Sequence, residues 1–141
     1  MLHMTHGGSH KQFSEIILDL VELLPPSLHL ADGIVAMHRS GPLDGSPLQL
    51  NCIGAAICPV AMDTALLELL ELDKSKSPIW RIAHYRELKG SDIDKIHFPV
   101  LSPTYFFGRN FAAPESLHTI RFNPLGFLNG MVKRIVFSCR R

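Results

Sequence analysis

Two short apolar runs, one on each side of a loop crowded with turn residues, restrict this chain more than any other feature. The first, Leu28-His29-Leu30-Ala31-Asp32-Gly33-Ile34-Val35-Ala36-Met37, is apolar almost without interruption. That pattern predicts a strand over 27–37 covered on both faces, because a strand with one wet face alternates instead. Asp32-Gly33 breaks the run and marks a bend or bulge. The second run, over 49–57, holds Gly54-Ala55-Ala56 and predicts a tightly packed strand. Between them, Gly41-Pro42 and Asp44-Gly45-Ser46-Pro47 place a loop over 38–48.

Helices are expected on either side. Phe13, Ile16, Ile17, Leu20, Val21 and Leu24 recur at helical spacing, with Glu15, Asp19 and Glu22 mostly on the opposite side, so a helix is predicted over 12–24. Pro25-Pro26 ends it. Pro59 suits a first helical position and opens an apolar helix to about Leu72. Pro78 opens another to Leu88, and Gly90 stops it. A further strand is expected over 93–101, weakened by Pro99, and a short helix or strand near 131–137.

The order helix, strand, loop, strand, helix, helix, strand predicts an α/β domain built on a small, partly parallel sheet with flanking helices. So few strands leave edges that need a partner. Part of the fold is therefore expected outside this chain.

Composition narrows the function classes. Of 141 residues, 46% are hydrophobic and 19% charged, a globular balance. A net charge of +1 offers no global attraction for nucleic acid. No apolar run reaches the ~18 residues that predict a spanning helix. The first residues show neither a basic nor an apolar signal region. Three cysteines, Cys52, Cys58 and Cys139, do not form a disulfide framework, so a reducing cytoplasm is expected. Walker, dinucleotide, nucleophile-elbow and zinc-protease motifs are all missing, so the sequence does not decide whether the chain is an enzyme.

The strings Phe13-Ser14-Glu15-Ile16-Ile17-Leu18-Asp19-Leu20 and Leu30-Ala31-Asp32-Gly33-Ile34-Val35-Ala36-Met37, then Ser40-Gly41-Pro42 and Gly45-Ser46-Pro47, resemble a conserved domain of unknown function, number 362. Ile57-Cys58-Pro59-Val60-Ala61-Met62-Asp63 is similar to that family's step into a helix, with Cys58 where Asp is usual. The resemblance covers roughly residues 2–101. It implies that residues 1–101 form a family-like α/β region, with 102–141 an irregular carboxyl-terminal extension of the same domain. It also implies that the chain is the carboxyl-terminal half of a larger domain, often found with ferredoxin-type iron–sulfur segments. Any cluster would take its ligands from a missing segment or partner, because four closely spaced thiolates are needed and no CxxC pair exists here.

Several residues stand out as candidate ligand-binding groups, each with a plainer reading beside it. Asp32, Gly33, Gly41 and Asp44 follow strand ends, where open α/β sheets bind ligands, but Asp and Gly also simply make turns. Cys58 sits at a helix start whose dipole favours a thiolate, or is a small buried residue replacing a cap. Asp63 is drawn from the resemblance, or complements the helix amino end. His6, with His3 and His10, suggests an anion or metal site, or a solvated terminus; no metal ligand set is assigned. Two main functions follow. One is a ligand-binding or redox-associated domain with an iron–sulfur partner, such as a ferredoxin-like domain. The other is a truncated, non-catalytic interaction module that recruits its missing half or self-associates. A stand-alone enzyme using Cys58 is a third.

Overall fold

Proline placement and one antiparallel strand pair organise the molecule, a computed structural model that describes residues 10–40 and 45–114. Helix α1 spans His10–Leu23. Strand β1 spans His29–His38 and strand β2 spans Ser46–Ala56. Helix α2 runs Pro59–Leu69 and helix α3 runs Pro78–Tyr85. A short 3-10 turn at Lys74–Lys76 lies between α2 and α3, and two more follow α3 at Ile93–Lys95 and Pro103–Phe106. The expected segment near 131–137 lies outside the described residues.

The sheet corrects the sequence expectation. β1 and β2 pair antiparallel, from His29 opposite Ala56 to His38 opposite Ser46, and no parallel pair occurs among the described residues. The reason is length: parallel neighbours need a crossover of a dozen or more residues, and 39–45 is too short. The expected third strand over 93–101 is not formed either. Asp92 caps a 3-10 turn there, accepting from the Asp94 amide at 3.2 Å, and Pro99 has no amide to give a ladder.

The ladder is irregular where Asp32-Gly33 predicted it. Gly33 faces Cys52 and Val35 faces Gln49, so Leu50 and Asn51 together oppose Ile34. Asn51 takes φ 53 in this bulge, a left-handed conformation that Asn tolerates better than most residues. Beyond the bulge the inward phase of β1 shifts from Ala31 and Gly33 to Ala36 and His38. Gly33 is needed at its position because a Cβ there would stand 2.5 Å from the Cys52 sulfur.

Two small apolar clusters hold the layers. Leu18, Val60, Ile82 and Ala83 join α1, α2 and α3, with Cys58, Ile79 and Leu88 packed around them. Leu50, Cys52 and Leu69 join β2 to the end of α2, with Ala36, Leu48, Leu70 and Phe106 against them. Helix α2 spans both, which explains its apolar character on every side. Inside it Thr64 is fully buried and gives its hydroxyl to the Val60 carbonyl at 2.9 Å. An Arg86–Asp19 pair at 2.6 Å ties α3 to α1 at the surface. The result is a mixed α/β arrangement in which the described residues cover one face of the sheet.

Candidate functional site

The feature most out of keeping with a self-sufficient fold is the outer face of the hairpin. Alternation along β2 turns Leu48, Leu50 and Cys52 toward the helices and Gln49 and Ile53 away. On β1 the outward set is Leu30, Asp32, Ile34, Val35 and Met37. Leu30 and Ile53 are each 71% exposed, and Ile34, Val35 and Met37 are about half exposed or more. Leu28 and Ile57, flanking the two strands at one end, are open too. Fully covering each such side chain would contribute about 1.5–3 kcal/mol. Isolated two-stranded sheets are marginal in water, and among the described residues each strand pairs only with the other.

Asp32 sits inside this face. It lies opposite Ile53 in the ladder, with Leu30 and Ile34 two residues away on the same side. Its Oδ1 accepts from the Ile34 amide at 2.9 Å, a local turn bond at the bulge. The other oxygen has no hydrogen bond among the described residues. Gly33 points the other way, into the sheet cluster. The two residues grouped by sequence therefore serve opposite faces.

The remaining sequence candidates do not converge. Cys58 is the N-cap of α2, as its position before Pro59 predicted, but its side chain does not cap the helix. Its thiol donates to the Lys89 carbonyl at 3.1 Å instead, fastening the loop after α3 to the start of α2. Asp63 reaches solvent from α2, yet surrounding protein raises its carboxyl above the ordinary range while His29 pulls it back. His6, Gly41 and Asp44 lie outside the described residues. Among the described residues no three His, Cys, Asp or Glu side chains gather as a metal site.

Cys52 is buried more deeply than Cys58. Burial pushes its thiol up, the Asp32 carboxylate pushes it further, and Arg109 opposes both. Its Sγ lies 3.6 Å from the Gly33 carbonyl. Because the thiolate is the reactive form, Cys52 is expected to react with iodoacetamide at least about tenfold more slowly than Cys58 in the folded chain. Peptide mapping after timed alkylation reads this; equal rates would mean that the sheet cluster opens freely.

Two features were missed by sequence reasoning. A cleft of about 510 Å3 lies between the end of α2 and the start of α3, walled by Leu72, Trp80 and Phe107 with Glu68, Glu71 and Asp73 at its rim. Its carboxylates are engaged: Glu68 pairs with Lys74 at 2.5 Å, Glu71 accepts from the Gly108 amide at 2.8 Å, and Asp73 accepts from the Ser75 amide and hydroxyl. The cleft is thus built from loop-closing contacts. The second is His38, 8% exposed at the end of β1, whose Nδ1 has no partner among the described residues and whose ring tilts toward Phe111 at 6.3 Å. A histidine leading into Ser40-Gly41-Pro42 was its only sequence signal.

Comparison with known proteins agrees with the resemblance read from the sequence. The family model described as Domain of unknown function (DUF362) matches residues 1–68. The chain is 27% identical over 120 residues to the thylakoid-associated protein sll1697 of Synechocystis sp., a match covering 85% of this chain and 37% of that protein. The matched stretch is therefore a little over a third of the relative's length. No solved structure matches the chain. Among the described residues no helix is long and apolar enough to cross a membrane.

Proposed function

We propose that this chain, whose residues 1–68 match the family model described as Domain of unknown function (DUF362), is a non-catalytic assembly module whose β1–β2 hairpin completes a larger α/β fold. One observation carries the reading: the outward face of the hairpin presents Leu30, Ile34, Val35, Met37 and Ile53 to water. An apolar strip of this kind marks an interaction surface. The relative's greater length supplies a natural source for the covering layer, the family's remaining residues, with this chain as the carboxyl-terminal part. The extension after 101 belongs to the same module in this reading, supported by Phe106 packing on the sheet cluster.

The redox reading finds less support in the residues. Cys52 and Cys58 lie in different apolar clusters and each is directed at a backbone carbonyl. They do not fit an iron–sulfur cluster together, so in our reading any cluster in the assembly takes its ligands from the covering segment or a ferredoxin-like partner. A cytoplasmic location is part of the same proposal and rests on the two free thiols among the described residues.

Ile53→Lys tests the module reading in two settings. In the isolated chain the side chain is exposed, and the substitution changes stability by less than about 0.5 kcal/mol. In a chimera where this chain replaces the matched stretch of the Synechocystis protein, the same change is expected to cost about 1.5–3 kcal/mol or more, because the face is then covered. Urea unfolding of both pairs decides the matter. An equally small effect in both settings would overturn the reading.

A further inference from the structure

We propose that residues 106–112 form a strap that opens by itself, with the rest of the chain folded, and so gates the sheet cluster around Cys52. The strap leaves the 3-10 turn Pro103–Phe106, which packs on α2, and ends at Arg39, just past β1. It is fastened at three points. Phe106 packs on the cluster of Leu50, Cys52 and Leu69. The Gly108 amide donates to Glu71 Oε2 at 2.8 Å, which ties the strap to the turn after α2. The Arg39 amide donates to the Ala112 carbonyl at 2.7 Å, and the neighbouring Phe111 ring stands 6.3 Å from that of His38. Between the last two fastenings Arg109 comes within electrostatic reach of the Cys52 sulfur: burial and then Asp32 raise that thiol, and Arg109 opposes them. The strap thus passes along the helix-facing side of the sheet, so its motion is independent of what covers the outer face.

Backbone strain gathers at the strap and its fastenings. Five non-glycine residues among the described ones adopt positive φ, and three of these are Arg39 at 71°, Glu71 at 54° and Asn110 at 57°. The first two are the anchoring residues, and the third lies within the strap. Left-handed residues of this kind persist only where surrounding contacts hold them, and they collect at clamps and switch regions. The contacts holding the middle and far end of the strap are single hydrogen bonds, each of small net value. Segments held in this way open at a free energy below that of global unfolding. Phe106 leaves with the strap, so opening bares Cys52. Cys58 serves as the internal control, because it packs on the separate helical cluster and donates its thiol to the Lys89 carbonyl at 3.1 Å.

The test adds iodoacetamide to the intact chain at several urea concentrations below the unfolding transition and follows each thiol by peptide mapping. Reaction through global unfolding would speed Cys52 about fivefold or more per molar of urea, because unfolding exposes a large surface. Opening of the strap exposes little surface, so a rise of less than about twofold per molar is expected. Glu71→Ala removes the acceptor of the Gly108 amide and should speed Cys52 at least about threefold, with Cys58 changed by less than about twofold. Glu71→Gln keeps an acceptor and should leave Cys52 within about twofold of the parent rate. A Cys52 rate that climbs with urea as steeply as global unfolding would overturn the strap. So would Glu71→Ala without effect on Cys52, or an equal acceleration of both thiols, since the whole fold would then be yielding.

Discussion

Replacing Leu18 by alanine is expected to lower the stability of the chain by about 2–5 kcal/mol, read from the shift of the urea midpoint at unchanged slope. Leu18 is 1% exposed and is the contribution of α1 to the helical cluster, where it meets Val60 of α2 and Ile82 and Ala83 of α3. Truncation loses the transfer free energy of the removed carbons and leaves a cavity that three separate helices would have to close. They are poorly placed to do so. At the surface the Arg86–Asp19 pair also links α1 to α3, and exposed pairs contribute only about 0.2–1 kcal/mol. Loss of helical circular dichroism at a denaturant concentration where the parent is folded is therefore anticipated. A midpoint shift equivalent to less than about 1 kcal/mol would mean that the helical cluster does not carry the fold.

The second large effect is expected at Gly90, where alanine should cost at least about 2 kcal/mol. Gly90 adopts φ +90, and a Cβ there would stand 2.6 Å from the Ala61 nitrogen and 2.7 Å from its Cβ. Two costs combine: the left-handed conformation disfavours any side chain, and the clash is with the first turn of α2, which cannot move without disturbing Cys58 and Val60. Gly108 separates the two. It adopts φ +77 with nothing within 4 Å of a built Cβ, so alanine there carries only the conformational cost, about 1–2 kcal/mol. Thermal unfolding of the two variants compares them directly. Equal losses would show that crowding against α2 contributes nothing.

Local rules in the sequence determined the individual elements. Pro59 and Pro78 open α2 and α3 at the positions expected, and the apolar spacing from Phe13 to Leu24 marks α1 to within a residue or two at each end. Asp32-Gly33 marks the place where the ladder slips. These features depend on contacts within a few residues, which sequence spacing encodes directly. Two expectations failed for the same physical reason, because they concern what lies beside a strand. The 93–101 run is apolar enough for a strand, but Asp92 and Pro99 favour turns, and among the described residues no neighbouring strand offers a ladder.

Only the tertiary structure decided which way each residue faces. The near-continuous apolar run of β1 read as burial on both sides, whereas the described residues cover one side and leave Leu30, Ile34, Val35 and Met37 open. Asp32 and Gly33, adjacent in the chain, are parted onto opposite faces by the two-residue period of the strand. Cys58, legible as an N-cap position, turned its thiol to Lys89, a partner 31 residues away that no local pattern predicts. Sequence by itself thus determined where segments begin, bend and stop, through backbone chemistry that acts over a few residues. Tertiary packing decided which side chains are spent on the core and which remain exposed among the described residues, because burial depends on elements distant in the chain.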